Sequence, residues 1–291
     1  MFCTINLRRK KSLVALGMVM LLLITGVTGA TAAARSSNQT FEGTPLTIIM
    51  YHAVMKDSNR QGTYVISPQL LEDDMKYLRD NGYTAVVVQD LIDYVDEGIP
   101  LPEKPIMLTF DDGYFNNYLY AYPLAKQYGM KLVISPIGYF TQKYTELQEE
   151  NETYSHITWP QMDEMIQSGM IEIQNHSYRL HGTAATGRLG AQKTKSESVP
   201  EYTNMLTQDL TEMQNAIESN TGWKPTAFTY PFGIISKESL PVIRDMGFRA
   251  SFSCEERIND LKQDPESLYL LGRFLRPAGT PSANFFAGKL K

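Results

Sequence analysis

From about residue 45 onward the chain alternates between two hydrophobic periods. Short apolar runs of strand length, "PLTIIMYH", "TAVVV", "KPIMLTF", "KLVIS", "MIEIQNH", "TAFT" and "FRASFS", are separated by stretches whose apolar residues recur every three or four positions. Ser67-Pro68 opens one such stretch, with Leu70, Leu71, Met75 and Leu78 on one face and Gly82 just past its end, which predicts a helix. "QDLIDYVDEG" predicts a second, closed by Gly98, and a third covers Tyr118 to Tyr128. "TWPQMDEM" starts a fourth, with Thr158 as cap and Pro160 in the first turn. Two more are expected from Tyr202 to Ser219 and over "KESLPVIRDMG", and "YLLGRFLR" reads as the last strand. Strand followed by helix, repeated, means βα units around a parallel sheet. Seven or eight units in roughly 250 residues predict one closed or nearly closed α/β barrel. A polar segment from Thr183 to Val199 interrupts the alternation and is expected to be a loop, either a lid or a tolerated insertion, the second reading being the simpler.

The first residues follow a different pattern. Arg8, Arg9, Lys10 and Lys11 precede an apolar stretch from Leu13 to Val27 and the small-residue run "GATAAAR". That is the layout of an export signal over residues 1–34; the apolar stretch is slightly short for a comfortable membrane span, and an uncleaved N-terminal anchor is the alternative reading. A polar tether is expected at 35–44 and the folded domain at 45–291. Cys3 lies ahead of the apolar stretch and Cys254 is alone after it, so no internal disulfide is expected. Stability must come from a core, for which 43% hydrophobic residues suffice. A formal charge of -5 speaks against a nucleic-acid partner. The chain reads as an exported monomer, released or held on the outer face of the cytoplasmic membrane.

Active sites of α/β barrels lie beyond the C-terminal ends of the strands. Ligand-type residues stand there in this chain. Asp111 and Asp112 follow "IMLTF", His176 follows "IEIQN", His52 follows "TIIMY", and Tyr230, Pro231 and Phe232 follow "TAFT". Two adjacent carboxylates repel, and either is costly to bury alone. A turn would explain Asp-Asp-Gly without chemistry. A cation explains it better once "HSYRLH" is considered. His176 and His181 would diverge by about 140° on a helix, so an HExxH-type pair is excluded. On a strand end curling into a loop they can converge instead. Two imidazoles and one carboxylate leave an open position on a divalent ion. Asp112 would then be the ligand and Asp111 a base for water beside the ion.

At these residues the sequence resembles the polysaccharide deacetylase family, whose members share the NodB homology domain of carbohydrate esterase family 4. "TFDDG" matches its first motif and "HSYRLH" its second, in the longer-spaced form of exported deacetylases of β-1,6-linked poly-N-acetylglucosamine. "YPFG" is similar to the third motif of that subgroup and "IMYH" to its opening strand. The resemblance spans roughly Leu46 to Phe286. It implies a distorted (β/α)7-type barrel that hydrolyses N-acetyl groups of an acetylated polysaccharide. It also implies Asp111 as general base and Asp112, His176 and His181 as metal ligands. The ion is expected to be Zn²⁺, with Co²⁺, Ni²⁺ or Mn²⁺ also suited to such ligands. A backbone N–H near Phe232 is expected to face the oxyanion.

The chain also departs from the family pattern. The arginine that orients the base ahead of the third-motif proline is missing from "FTYPFG". Where many members carry a late histidine as general acid, "LLGRF" presents Arg273, which cannot donate a proton in this role. His52 is the better of the two remaining histidines for that task. Tyr114, Tyr230 and Phe232 flank the motifs and are expected to line the sugar groove. An esterase for O-acetyl groups on xylan-type glycans would use the same site, and a catalytically silent glycan-binding protein would have no need of Asp111. The polymer and its linkage do not follow from these residues.

Overall fold

The computed structural model describes residues 41–291. The expected export or anchor segment at 1–34 lies outside the described residues, as does most of the expected tether at 35–44. "PLTIIMY" forms β1 (Thr44–Tyr51), followed by two short strands, β2 (Ala53–Val54) and β3 (Val65–Ile66), that pair with each other. Helix α1 (Pro68–Asp80) begins where the Ser67 hydroxyl accepts the Leu70 N–H, and it buries Leu71, Met75 and Leu78. Next come β4 (Thr84–Ala85), α2 (Val88–Asp96) and β5 (Pro105–Asp112). A π-helical turn at Asn117–Ala121 leads into α3 (Tyr122–Tyr128), then β6 (Leu132–Pro136) and α4 (Gly138–Leu147). Helix α5 (Trp159–Gln167) starts on the expected Thr158 cap and precedes β7 (Ile171–Ile173). The chain continues through α6 (Val199–Thr221), β8 (Ala227–Thr229), α7 (Ser239–Asp245) and β9 (Ala250–Phe252). It ends with β10 (Asn259–Leu261), β11 (Phe274–Leu275) and α8 (Ser282–Phe286).

Parallel pairings run β11–β1–β5–β6–β7, and β8 pairs in parallel with β9. Single bridges between Asn175 and Phe228 and between Phe252 and Leu271 join β7 to β8, and β9 to the chain just before β11. The ring is therefore a distorted (β/α) barrel with thin joints on one side. Every residue of β5 is buried, as expected for a parallel strand covered on both faces. The main core lies between this sheet and the helices, where Leu108, Phe110, Leu132 and Ile134 meet Leu71, Met75, Met162 and Met165. Helix α4 was not expected from the sequence. Its segment "GYFTQKYTEL" carries only a weak apolar stripe, and contact with the rest of the molecule holds it in place.

Candidate active site

The ends of β5, β7 and β8 converge on a cavity of about 720 Å³. Asp111, Asp112, His52, His176, His181, Tyr114 and Phe232 all line it. The chain reaches this arrangement through unusual backbone. Asp112, Ser177 and Phe232, one at each of these strand ends, have φ of 70°, 73° and 58°. Left-handed φ in a residue with a side chain costs about 1–3 kcal/mol and concentrates at functional sites. After Asp112 only glycine fits, because a Cβ on Gly113 would lie 2.5 Å from the Pro136 Cβ. The turn at Asp112 also answers how two consecutive acids can face one cavity although a straight strand would send them apart.

Asp112 Oδ1 lies 3.4 Å from His176 Nε2 and 3.1 Å from His181 Nε2. It has no hydrogen-bond partner among the described residues although it is buried. His176 is itself oriented, its Nδ1 lying 2.8 Å from the Thr229 carbonyl. An N–H there leaves Nε2 as a lone pair aimed at a carboxylate. Lone pairs meeting in a buried space require a cation, and one donor atom from each of the three residues lies within 4.8 Å of the others. The residues present therefore fit one divalent metal ion, with two nitrogens and one oxygen as donors.

Asp111 has a different environment. Arg273, with no exposed surface, donates from Nη1 to Asp111 Oδ1 at 2.7 Å and from Nη2 to Oδ2 at 2.8 Å. The guanidinium is fixed from behind by the Ser253 carbonyl at 3.0 Å and the Thr109 hydroxyl at 3.2 Å. Burial alone would push the Asp111 carboxyl up, but the Arg273 charge and hydrogen bonds outweigh it and hold the group below its usual range. The third-motif region does lack an arginine, as expected, but Asp111 is not without one. The role sought ahead of the third motif is filled from the strand region beginning at Arg273, 162 residues from its partner. In sequence Arg273 stands out only as the residue in place of the late histidine, and nothing local marks it as the partner of Asp111.

His52 lies at the cavity wall, its ring centre 5.0 Å from that of Tyr64 in an edge-on arrangement. Its Nδ1 is buried without a partner among the described residues, and burial lowers its pKa against the pull of Asp111 and Asp112. Asn117 in the π-helical turn donates to the His52 carbonyl at 2.7 Å, so the turn after the two acids also braces this histidine. Phe232 is 42% exposed and packs its ring 4.3 Å from His181. The expectation for Tyr230 is overturned. Its side chain is fully buried, packs on Phe228 at 4.7 Å and bonds the Ser239 hydroxyl at 2.8 Å. Alternation along β8 is the reason: Thr229 turns inward to the Ser135 hydroxyl, so Phe228 and Tyr230 face the helical layer. Tyr64, 57% exposed at the cavity mouth, was missed because it stands in a loop outside any motif. Glu256 also lines the cavity. The polar segment after His181 is tied down, with Arg188 paired to Glu197 and the Lys193 N–H on the Ser236 hydroxyl at 2.8 Å.

Comparison with known proteins agrees with this site. The Escherichia coli K12 poly-beta-1,6-N-acetyl-D-glucosamine N-deacetylase is 24% identical over 234 residues, covering 74% of this chain and 34% of that protein. A Staphylococcus aureus protein of the same name is 25% identical over 195 residues, covering 67% and 62%. The chain thus spans about a third and somewhat under two thirds of these relatives. Among solved structures, a de-N-acetylase from Aggregatibacter actinomycetemcomitans superposes with a TM-score of 0.72 at 28% identity, covering 84% of this chain and all of that one. IcaB from Ammonifex degensii gives 0.67 at 25% identity, covering 86% and 99%. The family model for polysaccharide deacetylases matches residues 98–251, a stretch that begins ahead of β5 and holds both acids and both ligand histidines. That match takes in more than half of the chain, and the protein belongs to the polysaccharide deacetylase family.

Proposed function

We propose that the protein is a metal-dependent deacetylase of acetylated glycans, acting on N-acetyl groups of a polymer containing N-acetylglucosamine. The observation that carries this reading is the pairing of two acids with two different partners in one cavity. Asp112 meets the two imidazoles, and Asp111 meets the buried guanidinium of Arg273. Two named relatives are N-deacetylases of such a polymer, which supports the substrate class.

A divalent ion held by Asp112, His176 and His181 would supply a Lewis acid that polarises the acyl oxygen and acidifies water beside it. Asp111 acts as general base. Arg273 engages both its oxygens, and each oxygen keeps a second lone pair to take the proton of the attacking water. Water oxygen bonds to the acetyl carbon, the carbon–nitrogen bond breaks, and acetate and a free amine leave. The nitrogen must gain a proton as it departs, and His52 is the cavity histidine outside the ligand set that can deliver it. The Phe232 N–H, on a backbone turned by its positive φ, is the proposed donor to the developing oxyanion. Tyr64, Tyr114 and Phe232 offer ring faces for the sugar at the mouth.

Acetate release from β-1,6- and β-1,4-linked N-acetylglucosamine oligomers, peptidoglycan and acetylated xylan tests the proposal. The full chain is assayed free of metal, then with Zn²⁺ or Co²⁺, beside Asp111→Asn. Release from an N-acetylglucosamine polymer that needs metal and disappears in the variant is the expected result. Release from xylan alone would make the protein an O-acetyl esterase. No release from any of them, with metal bound, would leave a glycan-binding role.

A further inference from the structure

The two ligand histidines sit on one turn, Asn175 to His181, which departs from regular structure at Ser177. A turn of this kind needs its peptide groups satisfied before its side chains can hold a fixed geometry. All four N–H groups from Ser177 to Leu180 are bound by side chains. Ser177 donates to Asn175 Oδ1 at 2.8 Å and Leu180 to the Ser177 hydroxyl at 3.1 Å. The two between them share one acceptor from outside the turn. Tyr178 donates to Asp209 Oδ1 and Arg179 to Asp209 Oδ2, each at 2.8 Å.

Asp209 belongs to the middle of α6, a helix with Tyr202, Leu206, Leu210 and Met213 in the core. The same helix holds the other end of the turn. Asn175 Nδ2 lies 3.2 Å from both the Leu210 carbonyl and the Gln214 side-chain oxygen. Two oxygens of one carboxylate thus meet two successive N–H groups, at the midpoint between the ligand histidines. Successive N–H groups on an irregular turn form a concavity suited to an anion, and here the anion is supplied by the protein itself.

We propose that Asp209 is a positioning residue for the metal site. Its carboxylate fixes the backbone between His176 and His181, so that both imidazoles converge on Asp112 before any ion arrives. The proposal rests on Asp112, His176 and His181 as the ligand set, and it assigns a function to a residue that touches neither ion nor substrate. A purely structural role, fastening α6 to the barrel, would change stability and leave metal affinity alone.

The test is metal binding by the full chain, stripped with chelator and titrated with Zn²⁺ against a chromophoric competitor, and with Co²⁺ by visible absorption. Asp209→Asn keeps the shape but replaces one acceptor oxygen with an N–H₂ group that confronts a peptide N–H. Expected is a loss of Zn²⁺ affinity of about 10- to 100-fold, the usual effect of removing support behind a ligand. The Co²⁺ spectrum should change with it, and Asp209→Glu should regain part of the affinity. Leu206→Ala, on the same helix and without contact to the turn's N–H groups, controls for lost stability. It should lower the urea midpoint yet bind Zn²⁺ like the wild type. Zn²⁺ affinity of Asp209→Asn within a factor of about two of wild type, with the same Co²⁺ spectrum, would overturn the proposal. Should Asp209→Asn fail to fold, Asp209→Glu decides alone: weakened binding with an intact fold supports positioning, and unchanged binding overturns it. A wild-type chain that takes up neither metal would overturn the ligand set itself, and is told apart from the other failures by that control.

Discussion

Arg273 and Asp111 are both buried and bound to each other through two hydrogen bonds, so neither can be removed without stranding the other's charge. Breaking a buried pair from one side costs about 3–5 kcal/mol. Arg273→Ala is expected to lose stability of that order by urea unfolding, along with most activity. Arg273→Lys keeps the charge but not the planar fork, and should lower kcat with a smaller loss of stability. The proposed division of labour makes a second prediction at His52. His52→Ala should reduce N-acetyl hydrolysis by about 10²–10⁴-fold, the usual worth of a general acid. It should spare hydrolysis of 4-nitrophenyl acetate, whose leaving group needs no proton. Equal losses on both substrates would rule out His52 as the acid. Asp111, Asp112, His52 and His176 were legible because each follows an apolar run where a barrel places its chemistry, and His181 through its spacing from His176. Arg273 was legible as a residue but not in its role, since a partner so distant in sequence leaves no local trace. Tyr230 shows a different limit: its place next to a motif predicted exposure to the groove, and strand alternation turned it outward to the helices.

At the scale of elements, helices with a cap and a first-turn proline were readable, as α1 and α5 show, whereas α6 was read from Tyr202 and starts three residues earlier, on the unread Ser198 cap. Helix α4 lacked those signals because contact, not local preference, sets its start. A Cβ on Gly138 would lie 2.4 Å from the Tyr178 ring and 2.6 Å from the Met213 sulfur. Gly138→Ala should therefore push α4 away from the ligand turn and cost about 1–3 kcal/mol, measured by urea unfolding. Helix α6 carries a pH dependence of its own. Burial pushes the Asp209 carboxyl up to about 6, against the two N–H groups that favour its charge. In the unfolded chain such a group titrates near about 3.9. Between roughly pH 4 and pH 6 the folded state binds more protons at this site, so its contribution to stability falls as pH rises through that window. The urea midpoint of wild type relative to Asp209→Asn should therefore be higher at about pH 4.5 than at pH 7. A constant difference would show that Asp209 does not titrate there.

At the scale of the molecule, the alternation of strands and helices made the barrel legible, because each βα unit announces itself in sequence. Its closure was not. The ring is completed by isolated bridges at Asn175–Phe228 and Phe252–Leu271, too brief to leave any pattern. Such joints are expected to open first, and amide hydrogen exchange at β8 and β9 should be faster than at β1, β5 and β6. The metal should act against this loosening. An ion that binds only the folded chain, present at a hundredfold excess over its Kd, adds about 2.7 kcal/mol of stability. Thermal unfolding with and without chelator measures it, and an unchanged midpoint would mean that no ion is held.

The long span between Asp111 and Arg273 also bears on timing. A chain is made from its amino end, so Asp111, Asp112, His176 and His181 emerge well before Arg273. Until β11 docks, Asp111 lacks the Arg273 guanidinium, and a chain cut ahead of that strand carries the motifs without the pair. The Asp111–Arg273 pair can therefore form only after Asp112, His176 and His181 have all been made.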